Sequence, residues 1–74
     1  MMEILDCVNL NCPMPIVKIN KALRNKITGD FITVKANDPA FKIDLEAWIR
    51  KTKNSLISFE VSEEIFTAII EKRT

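Results

Sequence analysis

The chain has 74 residues, 47% hydrophobic and 28% charged, with a net charge of +1. That is enough apolar material for one small core, and too little net charge to recruit nucleic acid or anionic lipid by a global field. Two cysteines and no histidine exclude a histidine base, a Cys-His couple or a closed zinc site built from this chain alone, and a single glycine excludes a glycine-rich phosphate loop.

No window is apolar for long enough to span a bilayer. The start, Met1-Met2-Glu3, lacks the basic region and apolar run of a signal peptide. A cytoplasmic protein with reduced thiols is therefore expected, as a single domain over residues 1–74.

Ile4 to Cys7 reads as a short strand, with Leu5 and Cys7 on one face and Ile4 and Asp6 on the other. Cys7 is most simply a core residue. Val8 to Asn11 forms a loop, and Asn9 and Asn11 tolerate the left-handed backbone that such loops use. A helix is predicted from Pro13 to Asn25, with Ile16, Ile19, Leu23 and Ile27 as its apolar stripe. Lys18, Lys21 and Arg24 lie off that stripe, as a solvated face or a basic collar that could steer an acidic partner surface. Thr28-Gly29-Asp30 turns the chain into a second strand, Phe31 to Ala36.

Asp38 is expected to cap a second helix with Pro39 in its first position. Phe41, Leu45, Trp48 and Thr52 mark the buried face of that helix, and Arg50, Lys51 and Lys53 suit its C-terminus. Two strands follow, Ser55 to Val61 and Ile65 to Lys72, around the turn Ser62-Glu63-Glu64. Ile57, Phe59 and Val61 are expected on the core face of the first, and Phe66, Ala68 and Ile70 on that of the second. Phe31, Leu56, Ile65 and Ile69 would then line an open, semi-apolar face. One apolar and one mixed face per strand indicates a sheet covered on one side. The order predicts a two-layer α/β sandwich, βαβαββ, with a four-stranded mixed sheet and two helices on one face.

The chemistry centres on Cys12-Pro13-Met14-Pro15. Proline is tolerated in the first helical turn, where its missing N–H would be unpaired anyway. This places Cys12 at the N-cap. The N–H groups of Met14 and Ile16 are then the nearest free donors, and together with the helix dipole they would favour thiolate over thiol. The spacing alone fits a small buried hydrophobe equally well. The position at the carboxyl end of the first strand, where open α/β sheets place their sites, tips the balance toward a reactive sulfur.

Leu5-Asp6 followed by Asn9-Leu10-Asn11-Cys12-Pro13-Met14-Pro15 resembles the signature of the TusA/SirA-like sulfur carriers, in which Gly-Leu-x-Cys-Pro-x-Pro opens the first helix. Gly29, Asp38-Pro39, Asp44-Leu45 and Trp48 also align, so the resemblance spans almost the whole chain. It implies a persulfide carried on Cys12, with Pro13, Met14 and Pro15 supporting the loop. The donor would be a cysteine desulfurase or rhodanese-type enzyme and the receiver an acceptor protein, serving tRNA thiolation, molybdenum cofactor assembly or other sulfur metabolism.

Such a chain is a sulfurtransferase component rather than a stand-alone enzyme. No cofactor, metal, direct nucleic-acid binding or membrane insertion is expected, and the chain is expected to act as a monomer. Asn9 replaces the family glycine and is expected to keep its left-handed backbone. In Thr52-Lys53-Asn54, which replaces a Thr-Gly-His-like turn, Asn54 is expected to take that role. Two other readings use the same residues. One is a non-catalytic regulatory or partner-binding module that docks protein or RNA on the open sheet face. The other is a dithiol redox protein that pairs Cys7 with Cys12.

Overall fold

The computed structural model describes residues 3–73; Met1 and Met2, on which part of the leader-peptide reading rests, lie outside them. The elements are β1 (Glu3–Cys7), α1 (Met14–Arg24), β2 (Phe31–Ala36), α2 (Phe41–Thr52), β3 (Ser55–Ser62) and β4 (Ile65–Glu71). They build one mixed sheet in the order β1-β2-β4-β3. β1 pairs with β2 in parallel, Leu5 beside Val34 and Cys7 beside Ala36. β4 runs antiparallel to both β2 and β3. The expected two-layer βαβαββ arrangement is present. Among the described residues, no helix is long and apolar enough to cross a membrane.

The core lies between the helices and one face of the sheet. Cys7, Ile32, Val34, Ala36, Ala68 and Ile70 come from the strands, and Ile19, Leu23, Phe41, Leu45 and Trp48 from the helices. Phe41 is fully buried and meets Phe59 and Phe66, with ring centroids 6.0 and 6.1 Å away. These separations are normal for favourable aromatic pairs. Trp48 donates its indole N–H to Asn20 Oδ1 at 3.0 Å, tying α2 to α1. At the far end, Lys72 Nζ donates to the carbonyls of Leu23 and Lys26, both at 2.7 Å. It thereby places a charged donor on the carbonyls at the C-terminus of α1, that of Leu23 also accepting from the Lys26 N–H at 3.1 Å.

Several local expectations are corrected. α1 begins one residue later than its prolines suggest, with Pro13 at the N-cap. The cause is a turn over Asn11–Met14, closed by the Met14 N–H on the Asn11 carbonyl at 2.9 Å. The Cys12–Pro13 peptide bond within this turn is cis. Pro15 is fully buried and Ile27, beyond the helix, is 74% exposed, so the stripe runs Pro15, Ile19, Leu23. α2 also starts later than expected. Asp38 caps a lead-in turn by accepting from the Ala40 N–H at 2.8 Å, and the helix proper begins at Phe41.

β3 departs most from strict alternation. A bulge between Leu56 and Ser58 shifts its register against β4. Leu56 and Phe59 pack on the core, whereas Ile57 is 49% exposed. Leu56 therefore does not line the open face, and Ile57 is not a core residue. A bulge inserts one residue into a strand and so inverts the inside-outside pattern across it. Val61, at the strand's end, is 60% exposed.

The β3–β4 turn has two central residues, Glu63 and Glu64, both at positive φ (51° and 66°), as primed hairpin turns require. At the end of α2 it is Lys53, not Asn54, that takes the left-handed conformation (φ 64°). Asn54 is buried, and its side chain accepts from the Arg73 N–H at 2.8 Å and donates to Thr52 Oγ1 at 3.1 Å.

Removing the Phe41 ring should cost about 3–5 kcal/mol in Phe41→Ala, the range for a large buried aromatic. Ile57→Ala, at the bulge, should cost less than about 0.5 kcal/mol. Urea denaturation followed by circular dichroism distinguishes the bulged register from strict alternation, because alternation predicts a large loss at Ile57 as well.

Candidate functional site

Parallel neighbours end at the same edge of a sheet, so the loops after β1 and β2 emerge side by side. Polar side chains stitch these two loops together. Asn9 holds φ 68°, as its place in the motif requires. Its N–H donates to Asn37 Oδ1 at 2.8 Å, and Asn37 Nδ2 donates back to Asn9 Oδ1 at 3.2 Å. Asp6 Oδ1 accepts from the Val8 N–H at 3.0 Å. The Leu10 N–H returns to the Cys7 carbonyl at 3.2 Å. These bonds hold the β1–α1 loop at both ends of its turn.

Cys12 sits at the tip of that loop, half-buried, just ahead of α1. Its backbone N–H donates to Asp38 Oδ2 at 3.3 Å, while Asp38 Oδ1 holds the Ala40 N–H. The carboxylate of Asp44, in the first turn of α2, acts on its thiol from the neighbouring helix. Two carboxylates on the neighbouring loop and helix therefore face the sulfur. Among the motif residues, Pro13 and Met14 are exposed and Pro15 is buried against the core. Met14 does not offer a free N–H to the sulfur, since that group is committed to Asn11.

The expected low thiol pKa is overturned. Cys12 is pushed up to about 12, first by burial, then by the carboxylates of Asp44 and Asp38. A helix N-terminus contributes about 0.3–1 kcal/mol toward an anion. That is less than the ~1.36 kcal/mol of a tenfold change in acidity. Adjacent carboxylates and lost solvation both oppose it, and they win.

Cys7 is fully buried, and its thiol is also raised by burial, offset in part by the charge of Lys18. Both cysteines are free thiols. The two sulfurs thus occupy different settings, one in the core and one at the surface. Asn37 and Asp44 had no site role on sequence grounds. Their signal is positional, in the loop and first helical turn after the strand adjacent to β1.

The site is a partly accessible thiol at the carboxyl edge of a two-layer α/β sheet, faced by the carboxylates of Asp38 and Asp44. Residues 3–72 match the family described as "Sulfurtransferase TusA", and the chain belongs to that family.

Among its relatives, "Putative sulfur carrier protein NMA0882" of Neisseria meningitidis is 35% identical over 96% of each chain. "Putative sulfur carrier protein YrkI" of Bacillus subtilis is 34% identical, over 95% of this chain and 93% of its own. The crystal structure of a SirA-like protein from Desulfitobacterium hafniense shares the fold over the whole of both chains, with a TM-score of 0.83 at 17% identity.

Replacing Asp44 with Asn should make the Cys12 thiol more acidic. For every tenfold gain in acidity the thiolate fraction at pH 8 rises about tenfold, and the weaker nucleophile returns about half of that on a logarithmic scale. Alkylation of Asp44→Asn by iodoacetamide at pH 8 should therefore accelerate about threefold for every tenfold gain in acidity.

A thiol raised in the folded state stabilises the fold below its unfolded pKa, and that stability is lost as pH rises through the folded value. Folding stability should thus fall between pH 9.0 and about 12, and fall less in Cys12→Ser, as read from urea midpoints across that window.

Proposed function

We propose that Cys12 carries sulfane sulfur as a persulfide and relays it between proteins. The observation that supports this most directly is the contrast between the two thiols. Cys12 is partly accessible, on a loop braced by Asn9, Asn37 and Asp38, whereas Cys7 is sealed in the core. The family and the relatives named for sulfur carriage add to it.

In the loading step the Cys12 sulfur attacks the terminal sulfur of a donor persulfide. The donor's S–S bond breaks, its cysteine leaves as a thiolate, and the proton released by Cys12 restores that thiol. No net oxidation occurs. Unloading is the same exchange, with an acceptor thiol attacking the terminal sulfur and Cys12 leaving. A cysteine desulfurase or a rhodanese-type enzyme is the proposed donor. The acceptor is a protein of a downstream thiolation route, such as tRNA thiolation, in a cytoplasmic setting. The prolines on either side of Met14 stiffen the turn that presents the sulfur.

The raised thiol suits a carrier. A high-pKa sulfur is a strong nucleophile once deprotonated but a slow leaving group. At neutral pH such a site is mostly protonated, so in the free chain it takes up sulfur slowly and releases it reluctantly. Storage until contact with the right acceptor is what a relay requires, and a turnover enzyme would be tuned the other way.

Intact-protein mass spectrometry after incubation with a cysteine desulfurase and free cysteine, without reductant, tests the reading. The expected result is a reducible gain of one sulfur in the native chain and in Cys7→Ser, and none in Cys12→Ser. Loading that survives Cys12→Ser, or no loading from either the desulfurase or a rhodanese with thiosulfate, would overturn it.

A further inference from the structure

The net charge of +1 conceals a segregation of charge. β1, β2 and β3 end, and β4 begins, at the edge that carries Cys12. That pole holds Asp6, Asp38, Asp44, Glu60, Glu63 and Glu64, against Lys18, Lys35 and Lys42. The opposite pole collects the other cations. Lys21 and Arg24 lie in the last turn of α1, Arg50 and Lys51 in that of α2, and Arg24 and Lys72 line one cavity there.

Helix macrodipoles explain part of this sorting, since they favour acids at helix starts and bases at helix ends. They do not explain Glu60, Glu63 and Glu64, which lie on a hairpin. Among the described residues, the two ion pairs, Lys26–Glu3 at 2.9 Å and Arg73–Glu71 at 3.3 Å, both sit at the basic pole. The carboxylates around Cys12 are thus left without ion-pair partners. Apolar surface is exposed at the same pole, at Met14 (46%) beside the thiol and at Val61. Exposed apolar side chains among charged ones are the usual make-up of a docking surface.

We propose that this pole docks a protein surface that is cationic around its own reactive sulfur, and that Asp38 and Asp44 select for that charge at Cys12. The inference rests on the carrier reading for its biological meaning, and on charge placement alone for its physics. Complementary charge steers encounter and suppresses wrong partners. A docked cation also does chemical work here. It neutralises the carboxylates that hold the proton on Cys12, so the thiolate forms, and leaves, more readily in the complex than in the free chain. The carrier is then guarded in solution and active when docked.

The probes are two blocked peptides, Lys-Lys-Cys-Lys-Lys and Glu-Glu-Cys-Glu-Glu, each activated on its cysteine as the 2-nitro-5-thiobenzoate disulfide. The Cys12 thiolate attacks the peptide sulfur, the S–S bond to thionitrobenzoate breaks, and that coloured thiolate leaves; the thiol's proton goes to buffer. Rates are normalised to the reaction of each peptide with neutral 2-mercaptoethanol, and peptide mapping places the adduct.

At low salt the lysine peptide should react at least about tenfold faster, the lower end of electrostatic steering, and the ratio should collapse toward unity at about 0.5 M salt as screening sets in. Glu60→Lys/Glu63→Lys/Glu64→Lys should reduce the ratio several-fold. Arg50→Gln/Lys51→Gln, at the far pole, should leave it unchanged. Equal rates, a preference for the glutamate peptide, or a lysine preference untouched by the triple substitution would overturn the proposal. Because the exchange requires only a thiol, it is read independently of desulfurase loading, so the two ideas fail separately.

Discussion

The parallel pairing of β1 with β2 is the constraint on which the site depends. It brings Cys7 beside Ala36 and so sets the loop of Cys12 against the loop of Asn37 and Asp38. Among the described residues, no other strand pair in the sheet is parallel. Its hydrogen bonds fix the relative height of the two loops, and the fully buried Cys7, Ile32, Val34 and Ala36 keep the register from slipping. A one-residue slip of β1 would turn Cys7 to the open face. The carboxylates would then no longer meet the sulfur. Core packing and site geometry are therefore the same fact seen from two ends of β1.

The thiol shows how nearly balanced local effects are decided by neighbours distant in sequence. The helix start at the Cys-Pro-x-Pro stretch, considered alone, favours a thiolate. What reverses it is first burial, then the carboxylates of Asp44 and of Asp38, the latter 26 residues away on the Cys12 N–H. Sequence motifs report the covalent neighbourhood of a residue. A pKa is set by the spatial one, and burial together with two carboxylates exceeds what half a dipole charge supplies.

The same distinction separates what could be read in the chain from what could not. The order of elements, the one-sided sheet, the buried face of α2, Cys7 in the core and the left-handed Asn9 all follow from period, propensity and one special residue. These are local signals repeated over several positions. The bulge at Ile57 could not be read, because no residue type demands it; it arises where β3 must hold register with β4 while placing both Leu56 and Phe59 on the core. Glu63 and Glu64 take positive φ without the Asn or Gly that would announce a primed turn. Lys53 does the same in place of Asn54, the better residue by type, because the Asn54 side chain is engaged with Thr52 and Arg73. The place of Cys12 beyond the carboxyl end of β1 was legible, whereas the brace of Asn37, Asp38 and Asp44 became visible only once the two loops were adjacent.

The distribution of charge connects these levels. Helices α1 and α2 both point their N-termini toward Cys12, so their dipoles would make that pole favourable to anions. The chain answers with carboxylates, both on the helical elements and on a hairpin that has no dipole to compensate. Ser or Thr at position 38 would offer a single hydroxyl oxygen to the Ala40 N–H, whereas Asp38 holds both that group and the Cys12 N–H through its two oxygens. Aspartate at 38 performs the cap and charges the sulfur's surroundings in one residue. The exposed Glu60, Glu63 and Glu64 extend that field over a surface where they contribute little to folding. Surface acids left without partners beside a thiol raised by its own neighbours make structural sense as the half of an electrostatic contact whose other half belongs to a second protein.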